Sequence, residues 1–466
     1  MNRSEDGAGR PSAIAASRCL LVSTLLAALL ALGPGDATAA RGLTTGFADP
    51  LFTAAEAGSR HQALDRTVDA RAGLVRINVL WSSVATAQPA DPRDPADPAY
   101  DFSSYDTAIL DATQRGLDVL LTIYRAPAWA EGAGRPAGTP AGSWRPQPAA
   151  FADFGHAIAT RYSGSFPAAS PLPRVRLYQA WNEPNLSTYL NPQYEGEQSL
   201  SAGVYTPMID AFYDAIKGVH RDNLVITAGT APYGDPPGGR RTRPLVFWRE
   251  ALAARFDVLA HHPINTSGGP RRSAIHRDDV STPDLHHLRR LLRAAERRGV
   301  TGTPGRHRIW VTEIWWESDP PDGFEGVSLG RHARYLEEAL YLLWKQGARV
   351  VLNLQVSDSV FDQANPLLDT ATGLFFHDGR AKPAFTAYRF PFVADRRSKR
   401  RVLAWGKAPA GGRVRIERRA GRGWRRIGGA RVRAGKVFKE KLRLRDRANL
   451  RARVAGQKSL TWKQKG

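Results

Sequence analysis

The chain has 466 residues, and its 42% of hydrophobic and 24% of charged residues exclude a disordered or collagen-like protein. Its net charge of +22 is unevenly placed, since residues 396–466 hold 26 Lys and Arg against 3 Asp and Glu. The remainder is therefore close to neutral, and the length exceeds that of one average domain.

The first 39 residues have the pattern of a secretory signal peptide. Three arginines precede the apolar run 19–32, and the small residues 37–40 predict cleavage near Ala39. The alternative is an uncleaved anchor, but the run is shorter than the ~20 residues that span a bilayer. The only cysteine, Cys19, lies in this segment, so the mature chain has no thiol. We expect a secreted protein, extracellular or cell-wall associated, with no transmembrane helix.

Residues 40–394 alternate between strand and helix patterns. Helical patterns include 103–116, 282–299 and 332–347. Eight short apolar runs, typical of parallel strands buried on both faces, occupy 43–49, 73–81, 117–124, 174–181, 223–230, 256–262, 307–313 and 348–356. Eight strand–helix units predict an α/β fold, a (β/α)8 TIM barrel. An open doubly wound sheet is the alternative, but the Gly-rich phosphate loops common in that fold are missing from the sequence.

Residues 395–466 predict a small all-β C-terminal domain. Apolar and basic residues alternate with period two in 413–428, 431–447 and 449–456, with glycine-rich turns between them. The charge of this domain suits an acidic wall or capsule polymer as a partner. Nucleic acid is not expected, because the helix or aromatic platform of known binders is missing from the pattern. A spacer with a basic surface is the alternative.

Two predicted strands end in a carboxylate. Glu183 lies in 181-WNEPN-185 after strand four, and Glu313 lies in 310-WVTEIWW-316 on strand seven. In a barrel of this kind functional side chains lie at the C-terminal ends of the strands, and strands four and seven face each other across the mouth. Two opposed carboxylates are what hydrolysis of a glycosidic bond requires. One protonates the leaving oxygen, and the other attacks the anomeric carbon or activates water.

These two motifs together resemble the large clan of retaining glycoside hydrolases on (β/α)8 barrels, with family 39 and the cellulase-like family 5 nearest. The resemblance covers roughly residues 43–392. It implies an O-glycosyl hydrolase that cleaves a poly- or oligosaccharide with two glutamates. By position, Glu183 corresponds to the acid/base and Glu313 to the nucleophile. Asn182 corresponds to the residue that bonds the sugar 2-hydroxyl, and Arg76 to the arginine that keeps the nucleophile ionised.

The sequence departs from the pattern of the clan at two strand ends. Ile264, in 261-HHPIN-265, stands where relatives have a Tyr beside the nucleophile. Strand eight ends in 352-LNLQVSD-358, without the Trp that floors the sugar site, and Trp315 or Trp316 is expected to supply that surface. The alternative function is therefore a catalytically inactive barrel that acts as a carbohydrate-binding or cell-wall-associated protein.

The remaining candidates for substrate binding are side chains near strand ends: Tyr124, Trp129, Trp181, Trp316 and His262. Flat rings there are suited to stacking on sugars. Trp is also common in cores, so a place in the core is as consistent with each Trp as a place on the pocket wall. His262 is expected to hydrogen-bond in the pocket. No metal site is predicted, because no third ligand follows His261 and His262 at a telling spacing, and no cofactor is expected.

Overall fold

A computed structural model gives the fold of residues 42–265, 268–362 and 370–464. The predicted signal peptide, residues 1–39, lies outside the described residues. Within those ranges, no helix is both long enough and apolar enough to cross a membrane.

Eight parallel strands form a closed barrel. Strands β1 to β8 are, in chain order, Thr44–Ala48, Leu74–Leu80, Asp118–Tyr124, Leu177–Ala180, Leu224–Thr227, Val258–His261, Arg308–Ile314 and Val350–Leu354. Each strand pairs with the next, and β8 returns to β1 with Val350 opposite Thr44. All eight predicted strands are present, and the closure confirms the TIM barrel over the open sheet.

Helices connect the strands. Helices α1 to α9 are Ala57–Asp69, Trp81–Val84, Ser103–Gln114, Pro148–Arg161, Ser201–Val219, Pro244–Ala251, Leu285–Arg298, Leu329–Gln346 and Pro383–Arg389. Single 3-10 turns lie at Pro50–Thr53, Ala128–Ala130 and Thr282–Asp284. Gly299 caps the C-terminus of helix α7, and its φ of 66° is the left-handed conformation that favours glycine. The buried stripe of α7 consists of Leu285, Leu288, Leu292 and Ala295.

The barrel interior is built in layers, because side chains two residues apart on a strand point to the same face. The lower layer is an apolar cluster that includes Leu74, Leu120, Trp310 and, packed against them, Leu177. The polar layer above it consists of the buried residues two positions later on the same strands: Arg76, Thr122, Thr312 and Gln179. The direction of the strands therefore places this polar layer between the apolar core and the mouth.

Antiparallel strands follow the barrel, which confirms the small all-β domain. Strands β9 to β16 are Phe392–Arg396, Arg401–Lys407, Gly412–Ala420, Gly423–Val432, Val437–Arg443, Asn449–Val454, Gln457–Lys458 and Trp462–Lys463. One sheet has the order β9-β10-β13, and the second has the order β12-β11-β14-β15 with β16 also on β14. The predicted boundary between residues 394 and 395 falls inside β9. Lys407 on β10 is buried and donates to Thr45 Oγ1 at 3.1 Å, which ties the domain to β1.

Candidate active site

The segment after β4 turns sharply and brings Glu183 into the barrel mouth. Trp181 and Glu183 both have positive φ, 78° and 38°, a conformation that costs on the order of 1 kcal/mol or more for a residue with a side chain. Tertiary contacts hold it, since Glu183 N donates to Gly229 O at 3.0 Å. Buried Asn185 anchors the loop by accepting from Ala231 N at 2.8 Å. The 181-WNEPN-185 motif is thus a strained turn that aims one carboxyl group.

Glu313 lies near the end of β7 and is paired with Arg76 from β2. Arg76 is 1% exposed, and its Nη1 lies 2.9 Å from Glu313 Oε2. Arg76 Nη2 donates to Asn182 Oδ1 at 2.6 Å. One guanidinium therefore holds the predicted nucleophile and orients the predicted sugar-binding amide, because its planar fork donates in two directions at once.

The same arginine begins a chain of hydrogen bonds through the polar layer. Arg76 Nε donates to Thr122 Oγ1 at 2.9 Å, and this hydroxyl donates to Gln179 Oε1 at 2.8 Å. Gln179 Nε2 then donates to Thr227 O at 2.9 Å and to Thr312 Oγ1 at 3.1 Å. These bonds identify the oxygen end and the nitrogen end of the Gln179 amide, so the amide cannot flip without losing them.

The chain ends at Glu183. Thr312 Oγ1 accepts from Gln179, so its own proton is available to His262 Nε2, 3.0 Å away. The ring proton of neutral His262 is then on Nδ1, which lies 2.8 Å from Glu183 Oε1. Burial lowers the pKa of His262 to about 3, so the ring is neutral at physiological pH. His262 therefore hydrogen-bonds the carboxyl group of Glu183, and its contact with a substrate stays a prediction.

The two glutamates differ in environment. Burial raises the pKa of Glu183 to about 7, and the positive charge of Arg76 opposes that shift only in part. Glu313 instead forms an ion pair with Arg76, whose Nη1 lies 2.9 Å from Glu313 Oε2. The site therefore holds one carboxyl group able to carry a proton near neutral pH and one carboxylate paired with a cation.

The two carboxyl groups are also close together. One oxygen from each glutamate and one ring nitrogen of His262 lie within 4.8 Å of one another. This spacing is close to the roughly 5–5.5 Å of enzymes in which the second carboxylate attacks the sugar. It is shorter than the about 6.5–9.5 Å that leaves room for an attacking water.

A comparison with protein families agrees with this geometry. The model of the cellulase family, glycosyl hydrolase family 5, matches residues 35–263, which include β1 to β6 and Glu183. The barrel is that of a glycoside hydrolase. A search of curated proteins finds no sequence match.

Solved structures share the fold of this hydrolase. A family 39 glycoside hydrolase from Bacteroides cellulosilyticus WH2 has a TM-score of 0.54 and 16% identity, over 87% of this chain and 81% of the other. A family 39 β-xylosidase from Caulobacter crescentus has a TM-score of 0.51 and 16% identity, over 82% and 84%. A family 5 enzyme from Streptomyces cattleya, in complex with GlcNAc, has a TM-score of 0.51 and 16% identity, over 75% and 79%. At this identity the likeness is one of fold.

The predicted aromatic residues of the glycoside hydrolase divide into two groups. Tyr124 ends β3 and is partly exposed, and it is close enough to both glutamates for their charges to act on its pKa. Trp129 is partly exposed in the turn after β3 and donates to Ala85 O at 3.0 Å. These two rings remain candidates for substrate contact.

Trp181 and Trp316 are buried, which is the core alternative that the sequence left open for each of them. Trp181 is fully buried, with its ring edge-on to Phe151 of α4, because the positive φ turns the side chain into the core. Trp316 is 4% exposed and packs against Tyr335 of α8. Burial leaves their faces no room for a sugar, so the structure gives both a packing role.

Tyr189 is a site residue that the sequence analysis missed. Burial and the negative charges of Glu183 and Glu313 raise its pKa, and its ring lies edge-on to Tyr124 at 5.9 Å. An aromatic hydroxyl thus stands near both carboxylates, although Ile264 replaces the Tyr expected after strand six. The available signal was its place, six residues after Glu183 in the same loop.

The two adjacent histidines have separate roles. His261 is buried, and its Nε2 faces Val280 O at 2.8 Å while Nδ1 faces Thr230 Oγ1 at 2.9 Å. It is therefore a structural residue. Gly229 makes room for His262, since a Cβ there would lie 2.1 Å from His262 Nε2.

Glu183, His262 and Glu313 are also a donor set that fits a metal ion. Both ring nitrogens of His262 already have hydrogen-bond partners, and Arg76 already supplies a positive charge to Glu313. The hydrogen bonds and the ion pair that these three side chains make therefore fit the roles of an acid/base and a nucleophile.

Proposed function

We propose that this protein is a retaining O-glycosidase that cleaves a poly- or oligosaccharide by double displacement. The observation that carries the proposal is the pair Glu183 and Glu313, within 4.8 Å and in opposite electrostatic environments. A buried carboxyl group that keeps its proton near pH 7 is suited to general acid catalysis, and an ionised one beside it is suited to attack.

The reaction follows from these roles. Glu313 attacks the anomeric carbon while Glu183 gives its proton to the leaving oxygen, which breaks the glycosidic bond and forms a glycosyl ester on Glu313. Glu183, now ionised, takes a proton from water, and the resulting hydroxide attacks the anomeric carbon and releases Glu313. Asn182, held by Arg76, is placed to bond the sugar 2-hydroxyl. Tyr124, Trp129 and Tyr189 are the candidate walls of the sugar site.

We propose also that the protein acts outside the cell. The support is the signal-like N-terminal segment. Its basic C-terminal domain is suited to association with an acidic cell-wall polymer.

The test uses residues 40–466 and the Glu313→Gln variant on a panel of glycans. The panel includes cellulose, xylan and GlcNAc oligosaccharides, since the matching family and structures carry the names of such substrates or ligands. Products are measured by mass spectrometry. The matched control is Glu337→Gln, a change at a buried glutamate of α8 that lies outside the site.

We expect release of sugars by the parent and by the Glu337→Gln protein, and none by Glu313→Gln. Equal cleavage by all three proteins would show that Glu313 is not the nucleophile. Glycan binding without cleavage, the same in all three, would favour the alternative of an inactive carbohydrate-binding barrel.

A further inference from the structure

One face of the second C-terminal sheet consists largely of basic side chains. On β11 the side chains alternate, with Val414 and Ile416 fully buried and Arg413 and Arg415 exposed. The same alternation on β14 buries Leu450, Ala452 and Val454. The outward positions on four adjacent strands form what we call the basic face: Arg413, Arg415, Arg431, Arg453 and Lys458.

The basic residues of this face are directly opposed across the strands. Arg413 pairs with Arg431, Arg415 with Arg453, and Arg453 in turn with Lys458. Neighbouring strands are about 4.8 Å apart, and like charges directly opposite each other destabilise a sheet. The free protein therefore carries repulsion here that neutral residues would avoid.

Compensating acids are few at the basic face. Within the described residues, the side chains of Arg413, Arg415, Arg431 and Lys458 form no hydrogen bond or ion pair. The nearest acid is Glu417, whose carboxylate lies 2.7 Å from Arg451 Nε and 3.8 Å from Arg453 Nη1. The carboxylate of Glu417 is thus shared by two arginines, and the rest of the positive charge faces solvent.

We infer that the basic face is a binding site for an anionic polysaccharide, held through its carboxylate or sulfate groups. Four of the five residues are arginines, whose planar fork matches such oxyanions in pairs. The inference rests on the proposed function, because a site of this kind would hold a glycan close to the hydrolase on the same chain. Binding would also relieve the repulsion between the opposed arginines.

A nucleic acid is the less favoured polyanion. Proteins that bind single strands commonly stack the bases on aromatic rings. Near this face the candidate is the partly exposed Trp424, but Arg451 lies over its ring at 4.0 Å and Arg419 at 5.6 Å. With that ring covered by guanidinium groups, oxyanion contacts are the chemistry that remains.

The test measures binding of residues 40–466 to polygalacturonate, dextran sulfate and neutral dextran, with double-stranded DNA as the other polyanion. One variant changes four arginines of the basic face to serine: Arg413, Arg415, Arg431 and Arg453. The matched control changes four exposed arginines of the barrel surface to serine: Arg277, Arg290, Arg297 and Arg298. Both variants lose the same net charge.

We expect binding to at least one acidic glycan and none to dextran, with an affinity that falls as salt is added. The basic-face variant should lose roughly tenfold or more in affinity, and the control roughly twofold or less, since contact charges act more strongly than distant ones. The melting temperature of the basic-face variant should be unchanged or higher, which separates loss of binding from loss of folding.

Three results would overturn the inference: no binding to either acidic glycan, equal losses in both variants, or DNA bound more tightly than the glycans. Hydrolysis of the substrate found by the panel is measured in parallel, and the basic-face variant should retain it on short oligosaccharides. Binding should persist in Glu313→Gln. If glycan binding fails while hydrolysis is intact, only this inference is overturned. If the parent binds the glycan but hydrolyses no substrate, only the proposed function is overturned.

Discussion

Arginine has opposite surroundings in the two parts of this molecule. In the barrel, Arg76 is buried, and its guanidinium bonds Thr122, Asn182 and Glu313. In the C-terminal sheet, Arg413 and Arg415 are exposed and have other basic side chains opposite them. The same side chain therefore organises the candidate active site where acceptors surround it, and leaves its charge exposed to solvent where they do not.

The largest expected effect tests whether glutamates in the barrel and in the C-terminal sheet differ as the arginines do. Glu183→Ala should lower hydrolysis by about 10²–10⁴-fold, the usual loss for a general acid and base, whereas Glu417→Gln in the C-terminal sheet should leave it unchanged. With a substrate that has a good leaving group, added azide should restore turnover of Glu183→Ala. Retention predicts a glycosyl azide with the anomeric configuration of the substrate, detected by NMR. An inverted product would contradict the double displacement.

The comparison can also be tested through stability. Arg76→Met should destabilise the fold by about 3 to 5 kcal/mol, because it leaves the carboxylate of Glu313 without its buried partner. Arg415→Met should change the free energy of unfolding by no more than about 0.5 kcal/mol, as at other surface sites. Urea denaturation of both variants measures this difference. Equal effects would mean that Arg76 is not the central pairing group of the site.

A smaller effect tests the hydrogen-bond chain inside the barrel. Thr312→Val removes the donor that fixes the proton of His262 on Nδ1, so kcat should fall by roughly tenfold, about the value of one hydrogen bond. Thr312→Ser keeps the hydroxyl and should retain most of the activity. The parent should lose activity as pH rises through about 7, because Glu183 then gives up the proton that it must donate.

In Thr312→Val, His262 Nδ1 becomes free to accept from protonated Glu183, which stabilises the protonated acid. The alkaline limb of the pH profile should therefore move to higher pH in this variant and stay in place in Thr312→Ser. A fall in kcat with no movement of the limb would mean that Thr312 acts only through packing.

Much of the barrel and the centre of the site followed from local patterns. The apolar runs predicted all eight strands, since a parallel strand buried on both faces has a recognisable composition. The resemblance of two short motifs assigned Glu183, Glu313, Asn182 and Arg76, and the structure brings these four residues together. Because the strands of the barrel are parallel, residues at their C-terminal ends all lie at one end of the barrel.

The rest depended on contacts between residues far apart in the chain. Trp181 stands at a strand end, where the sequence left a pocket wall and the core equally open, and the structure packs its ring against Phe151 in the core. Tyr189 and Gln179 have no motif of their own. Their roles come from neighbours on other strands, which a sequence does not name.

The sequence by itself determined which residues stand at which strand ends and how charge is divided along the chain, because both depend on position alone. Only the tertiary structure decided what each charged group does. Burial raises the pKa of Glu183, and a guanidinium from β2 forms an ion pair with Glu313. The strand register sets arginine opposite arginine in the C-terminal sheet. Electrostatic energy depends on distance and on exclusion of water, and neither quantity exists until the chain has folded.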